Sequence, residues 1–341
     1  MRPREQEIIG RLIAGYSLNY RHVLAPQHGY RNRSYPVMLA DGTTANLILY
    51  KSDPDILERI KRADAVSNFL SDRGWPTRRT LDPRIAVLRT PAGRLKYAAL
   101  YNYLPGETIP WEAYTRRHLK LLGATLGNLH AELAGQTFRP QLPEVTTEYL
   151  AIVHRMQSYF AQVPVTTALE LKLGLGPPRH LARLESILAV CTNLPHRQPL
   201  HLDFVRSNIL FTGPNDALKI SGILDFEKTA FGHPVFDIAR TLAFLLADSK
   251  FKSEYHIRKY FLQSGYNKRG RAAFRTPWLQ TGSRRLNLLE ELINLFLLHD
   301  FYKFLRHNPY ESLGQNEHFA RTRTLLEQRQ LLRPLRQNRY Y

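Results

Sequence analysis

Four residues of this 341-residue chain have the types and spacing to do chemistry together. In "LHLDFVRSNILF", residues 200 to 211, Asp203 follows His201 by two positions and Asn208 follows Asp203 by five. Asp225 closes a second apolar run, "ISGILDF". An Asn amide oxygen and an Asp carboxylate are hard oxygen ligands suited to magnesium. A separate carboxylate, Asp203, is free to take a proton from a hydroxyl. Phosphoryl transfer needs these parts: neutralised phosphate charge, an oriented nucleophile and a cation on the phosphates. Lys51, at the end of the apolar run "NLILYK", is the candidate cation.

These residues work together only if the chain folds to position them. "NILF" and "ISGILDF" are separated by the turn-rich "TGPNDA" and read as a hairpin, which sets Asn208 beside Asp225. Upstream, "SYPVMLADGTTANLILYK" is two apolar runs joined at Asp41-Gly42, a hairpin turn signal. "SDPDILERIKRADAVSNFLSDRG" predicts a helix capped by Ser52 or Asp53, with Pro54 in its first turn and Gly74 as its stop. Ile56, Ile60, Ala63 and Leu70 keep helical spacing. "RIAVLRTPAGRLKYAALYNYL" predicts another hairpin, turning at Pro91-Ala92-Gly93. After "PGETIP" the period changes to 3.6, as in "TRRHLKLLGATLGNLHAELAG", and helical patterns dominate. The expected fold is α+β: a small antiparallel β-rich part with one main helix over residues 1–104, and a larger helical part over 105–341 that carries the catalytic hairpin.

Composition removes other classes. Hydrophobic residues make up 43% of the chain, enough for a full core. Cys191 is the only cysteine, which excludes intrachain disulfides and four-cysteine zinc sites and suits a reducing, cytoplasmic setting. The greasiest segment, "LNLLEELINLFLLHDFYKFLRH", carries Glu290, Glu291 and Asp300, too many charges for a membrane span. Its acids read as a solvated helix face. The net charge is +19, from 48 basic and 29 acidic residues. Such an excess draws polyanions. The basic residues are dispersed, however, without the aromatic spacing of an RNA-binding surface, so nucleic acid is not the expected partner.

The pattern His201-x-Asp203-x4-Asn208, followed by Asp225, resembles the protein-kinase-type signature. "ILDFEKTAFGHPVFDIART" is similar to the Asp-Phe-Glu, Gly-x-Pro, Asp-Ile-Ala run of the aminoglycoside phosphotransferase and choline kinase superfamily. "GYRNRSYPV", "YNYLPGE" and "LGNLHAEL" are similar to that superfamily's nucleotide loop, hinge and following helix. The resemblance runs over about residues 25 to 250. It implies a two-lobed protein-kinase-like fold with ATP and Mg2+ as cofactors. Asp203 is then the catalytic base, and Asn208 and Asp225 hold the metal. Lys51 contacts the α- and β-phosphates, Gly29 and Asn32 lie in the nucleotide loop, and Asn102 to Leu104 receive the adenine. Asp237 braces the catalytic loop, and His201 is structural. One departure stands out. The superfamily places a Glu in the small-lobe helix to pair with the Lys. Here that slot falls near Ala63, with Glu58 and Asp64 as the nearest acids.

Twelve positions separate Asp225 from Asp237, which leaves no room for the activation segment of a protein kinase. The expected acceptor is therefore a small-molecule hydroxyl on an amino alcohol, a sugar or an aminoglycoside-like compound. Two other readings stay open: a kinase-like ATP-binding module with weak catalysis, and a basic nucleic-acid-binding protein.

Overall fold

The computed structural model describes residues 3–28, 32–89, 93–214, 216–249, 252–267, 278–281 and 284–333. Gly29, expected in the nucleotide loop, and the turn residues Pro91 and Ala92 lie outside the described residues. The chain divides into two compact units. The first comprises Met1–Thr108, Phe138–Gln141 and Ser207–Lys228, and the second Ile109–Thr137, Leu142–Arg206 and Thr229–Tyr341. The division differs from the one read from sequence. The switch falls after residue 108, and the hairpin of Asn208 and Asp225 groups with the β-rich unit. Hydrogen bonds across chain neighbours in space, which pattern reading does not see, decide this. Glu107 and Phe211 exchange N–H···O bonds of 3.1 and 2.9 Å. Gly106 permits that approach at φ 120°, where a Cβ would lie 2.3 Å from Ser221 Oγ.

The first unit is built on an antiparallel sheet in the order β1 (Tyr20–Val23), β3 (Arg33–Leu39), β4 (Thr44–Leu49), β6 (Leu95–Asn102), β5 (Ala86–Arg89), with β2 (Gln27–His28) also on β3. Asp41-Gly42 turns β3 into β4 as expected: Gly42 sits at φ 86°, and Asp41 Oδ1 accepts from Thr43 N at 2.8 Å. "LILY", residues 47 to 50, has no polar interruption because both sheet faces are covered. Ala45, Leu47, Ala98 and Leu100 pack with Ile9, Leu12 and Ile13 of helix α1 (Pro3–Gly15) and with Tyr16 just after it. Ile48, Tyr50, Ala99 and Tyr101 face the other way, against Ile56 and Ile60 of helix α2 (Ile56–Ser71). Strand alternation sends neighbours to opposite faces. Each buried Leu or Ile here contributes about 1.5–3 kcal/mol. Helix α1 is absent from the sequence-based expectation of one main helix. Its few apolar residues are interleaved with charges and carry no cap signal.

Helix α2 starts later than Ser52 or Asp53 would have it. Asp55, at φ 60°, takes the N-cap position without a side-chain cap bond. Ser52 instead donates to Leu95 O at 2.9 Å. The hairpin is completed by β8 (Ile209–Thr212) and β9 (Lys219–Ile223), in register Ile209↔Ile223.

The second unit is helical, with a two-stranded pair of β7 (Gln198–Leu200) and β10 (Ala230–Gly232). Helix α3 (Arg116–Leu133) buries Leu119, Leu122, Leu126, Leu129 and Leu133. It lies so close to the segment Arg258–Tyr266 that a Cβ on Gly123 would stand 2.0 Å from Phe261 O. The helix Leu288–His307 is not a solvated acidic face. Glu290 pairs with Arg258 at 2.7 Å and Arg329 at 3.1 Å, and Glu291 pairs with Arg183 at 2.5 Å. Asp300 and Asp248 both bond His318, between the rings of Phe244 and Phe304.

Two expectations follow. Gly123→Ala must push helix α3 off a backbone carbonyl, and thermal melting is expected to show a loss of about 1–3 kcal/mol. Burial opposes charge on His318, but its bonds to Asp248 and Asp300 raise its pKa to about 10. A raised histidine stabilises the fold fully below its unfolded value near 6.5 and loses that contribution as pH climbs toward 10. Urea midpoints are therefore expected to fall over that window in the wild type and to fall less in His318→Gln.

Candidate active site

The loop that carries Asp203 is held by one buried carboxylate. Asp237 Oδ2 accepts from His201 N at 2.8 Å and from His130 Nε2 at 3.0 Å. Its Oδ1 accepts from Leu202 N at 2.5 Å. Burial pushes the Asp237 pKa up, but the hydrogen bond from His130 and the other donors outweigh it and keep the value below normal. His130 is fixed in turn, with the Tyr266 hydroxyl on Nδ1 at 2.8 Å. Leu202 is thereby held at φ 56°, a left-handed conformation costly for a non-glycine residue. His201 Nδ1 accepts from Asp203 N at 3.1 Å, the structural role expected for it.

Asp203 itself is only 6% exposed. Arg240 Nη2 donates to its Oδ1 at 2.9 Å, while Arg240 Nη1 donates to the Tyr149 hydroxyl at 3.3 Å. Arg240 is 5% exposed. Burial works against its charge, but Tyr149 and Asp203 raise its pKa, so the guanidinium stays charged. Arg240 and Tyr149 escaped the sequence reading. Arg240 stands in "FDIART", three residues after Asp237, so one turn of the same helix presents both to the loop.

The metal candidates lie in the first unit. Leu224 N donates to Asn208 O at 2.8 Å, which puts Asn208 and Asp225 at the same hairpin end. Asn208 is 8% exposed, and Asp225 is half-buried at φ 60°. An amide oxygen and a carboxylate form a hard donor set, and two protein ligands are what magnesium commonly takes when phosphates complete its shell. The residues thus fit the ion. Among the described residues no group of three or more His, Cys, Asp or Glu forms a further metal cluster.

Glu227 is a site residue that the motif "DFE" carried without a role. Its Oε1 accepts from Asn32 Nδ2 at 2.8 Å, and Asn32 Oδ1 accepts from Lys51 N at 3.2 Å. Asn32 thus ties the loop ahead of β3 to the segment after Asp225. Lys51 is exposed, beside the buried Tyr50. In the hinge, Asn102 is engaged with Arg79: Asn102 N donates to Arg79 O at 3.0 Å and Arg79 N donates to Asn102 Oδ1 at 2.7 Å. Among the described residues Leu104 N has no backbone partner.

Solved structures with the same architecture share little sequence with this chain. An amicoumacin kinase, hAmiN, described in complex with AMP-PNP, Ca2+ and Ami, superposes with a TM-score of 0.66 at 14% identity, over 98% of this chain and 97% of that one. The macrolide 2'-phosphotransferase MphH from Brachybacterium faecium gives 0.56 at 17% identity, over 94% and 97%. A microcompartment-associated aminopropanol kinase gives 0.58 at 14% identity, over 94% and 97%. The fold is therefore protein-kinase-like, as expected from the motifs. No curated sequence matches the chain. The model of the phosphotransferase enzyme family matches residues 22–273, well over half of the chain, and the protein belongs to that family.

The Asp203–Arg240 pair is testable by breaking it. Arg240→Leu leaves a carboxylate buried without its cation, and chemical denaturation is expected to show a loss of about 3–5 kcal/mol. Asp203→Asn in that background is expected to restore part of it.

Proposed function

We propose that this phosphotransferase moves the γ-phosphoryl group of ATP to a hydroxyl of a small molecule, with Asp203 as base and with Asn208 and Asp225 as the residues that hold Mg2+. The observation that carries the reading is the β8–β9 pairing, which sets Asn208 and Asp225 at one hairpin end, five residues beyond an Asp203 whose loop is pinned by Asp237. The hAmiN complex, with an ATP analogue and a divalent cation, supports the choice of cofactors. The metal, when bound, neutralises phosphate charge.

The chain's own residues do the rest. Asp203 orients the acceptor hydroxyl and takes its proton as the oxygen bonds to the γ-phosphorus and the bond to the β-phosphate oxygen breaks, releasing ADP. Arg240 Nη2 fixes one oxygen of Asp203, so the first task of this carboxylate is orientation. Arg240, itself bonded to Tyr149, holds the carboxylate in place. Leu104 offers adenine a backbone N–H that has no backbone partner among the described residues. Amino alcohols, sugars and aminoglycoside-like polyols are the acceptor classes. The excess of positive charge disfavours polycationic acceptors at long range. We place the reaction in the cytoplasm, which supplies ATP and keeps the buried Cys191 reduced. No helix among the described residues is long and apolar enough to cross a membrane.

The test is ATP consumption against a panel of small hydroxyl compounds. Asp203→Asn is expected to bind ATP normally and to turn over about 10²–10⁴-fold more slowly. Asp225→Ala is expected to lose magnesium-dependent ATP affinity in calorimetry while remaining folded. ATP binding without turnover for any acceptor, in wild type and Asp203→Asn alike, would mean a binding module. Preference for GTP over ATP would correct the donor alone.

A further inference from the structure

The first unit contains a cation whose position no sequence motif marks. Among the described residues of that unit, Arg78 is the only buried cationic side chain, 5% exposed. Its backbone is clamped on both sides. Thr77 bridges Ile223, with Ile223 N donating to Pro76 O at 2.7 Å. On the other side Asn102 N donates to Arg79 O at 3.0 Å, and Leu81 N donates to Leu100 O at 2.9 Å. The segment therefore runs from the end of β9, two residues before Asp225, to the end of β6.

The guanidinium lies 4.7 Å from the ring centroid of Tyr101. The Tyr101 hydroxyl donates to Asp64 of helix α2 at 2.8 Å and meets the Tyr50 hydroxyl at 2.7 Å. Burial works against the charge of Arg78, but Tyr50, Tyr101, Glu227 and Asp225 outweigh it and raise its pKa. Asp64 is pushed up by burial and drawn back by Arg78 and Tyr101. The cation thus sits in the field of Asp64 on one side and of Asp225 and Glu227 on the other. Even so, Nε and Nη2 are buried without a hydrogen-bond partner among the described residues. A buried N–H left unpaired is costly, and a guanidinium leaves two unpaired only where something else supplies the acceptors.

Oxygens of a polyphosphate are the acceptors that fit. They match the planar fork, and they offset a cation beside the proposed metal residue Asp225. Lys51 is placed differently. It follows Tyr50, whose side chain turns into the core, and its own side chain is exposed.

We propose that Arg78, rather than Lys51, is the residue that binds the α- and β-phosphates of the nucleotide, with Asp64 and Tyr101 as positioning residues behind it. The inference rests on the nucleotide reading above. It accounts for the departure at the helix: the acid that serves the phosphate-binding cation is Asp64, acting on an arginine that enters from the loop after α2.

Calorimetry of the full chain with magnesium, using ADP and adenosine as probes, decides the matter. Arg78→Gln is expected to bind ADP about 10- to 100-fold more weakly, the scale of a charge-assisted hydrogen bond, with adenosine affinity unchanged. Lys51→Ala is expected to bind both as wild type does. Unchanged ADP affinity in Arg78→Gln, or an equal loss for ADP and adenosine, overturns the assignment. So does a loss of ADP affinity in Lys51→Ala alone. If Arg78→Gln fails to fold, Arg78→Lys carries the test. It keeps the charge that the three carboxylates need but not the fork, so ADP affinity falls and adenosine affinity holds; wild-type ADP affinity in that variant overturns the assignment. A wild-type chain that binds neither ADP nor ATP overturns the nucleotide reading itself, and the role of Arg78 falls with it.

Discussion

The Asp237 carboxylate is the constraint on which the loop carrying Asp203 depends. It accepts two consecutive backbone N–H groups, from His201 and Leu202, and the side chain of His130. Consecutive peptide N–H groups can converge on one carboxylate only if the chain between them bends sharply, and Leu202 pays with a left-handed backbone. No small residue is needed there because three donors over-determine the bend. Helix α3 supplies His130, and the helix Val235–Asp248 supplies Asp237. The helix Val235–Asp248 also supplies Arg240, so the part that fixes the loop's path also gives Asp203 its buried cation.

A chain with a net charge of +19 does not lack cations, yet several carboxylates of its second unit, buried or partly buried, each meet a chosen partner. Asp203 has Arg240, Glu290 has Arg258 and Arg329, and Asp300 has His318. Removing a carboxylate from water is expensive unless it is paired and hydrogen-bonded. These pairs are therefore fixtures of the second unit's interior and take no part in steering a ligand. The dispersed arginines that sequence composition could only count divide into two kinds. Some hold helices together, and the exposed remainder makes a positive field that attracts anions.

What was legible in the sequence follows the range of the interactions involved. Asp41-Gly42 announces its turn because left-handed backbone favours glycine locally. The hairpin that carries Asn208 and Asp225 is legible because two apolar runs flank a turn-rich stretch. Helix α1 was missed because its apolar face is completed by Tyr35, Val37 and Leu100, residues distant in sequence. Ser52 and Asp53 look like caps, but Leu95 O draws Ser52 away and the helix begins after Asp55. Glu227 was visible in "DFE" yet had no partner until the fold brought Asn32 to it. Arg78 and Arg79 are adjacent and identical in type. Only tertiary structure separates an exposed arginine that pairs with Asp72 from a buried one beneath Tyr101.

Two buried guanidiniums, one in each unit, show how the same group serves opposite ends. Arg240 uses Nη1 on Tyr149 and Nη2 on Asp203, leaving only Nε without a partner among the described residues, and its effect is to hold a carboxylate still. Arg78 has its charge balanced through space by Asp64, Asp225 and Glu227, while its Nε and Nη2 are left without partners among the described residues. A cation that only balanced carboxylates would be expected to bond them, as Arg240 does, because direct hydrogen bonds recover the desolvation that burial costs. Stacking on Tyr101 instead holds the guanidinium plane and leaves its edge unspent. That difference in hydrogen-bond use separates a residue that completes the fold from one kept for a ligand.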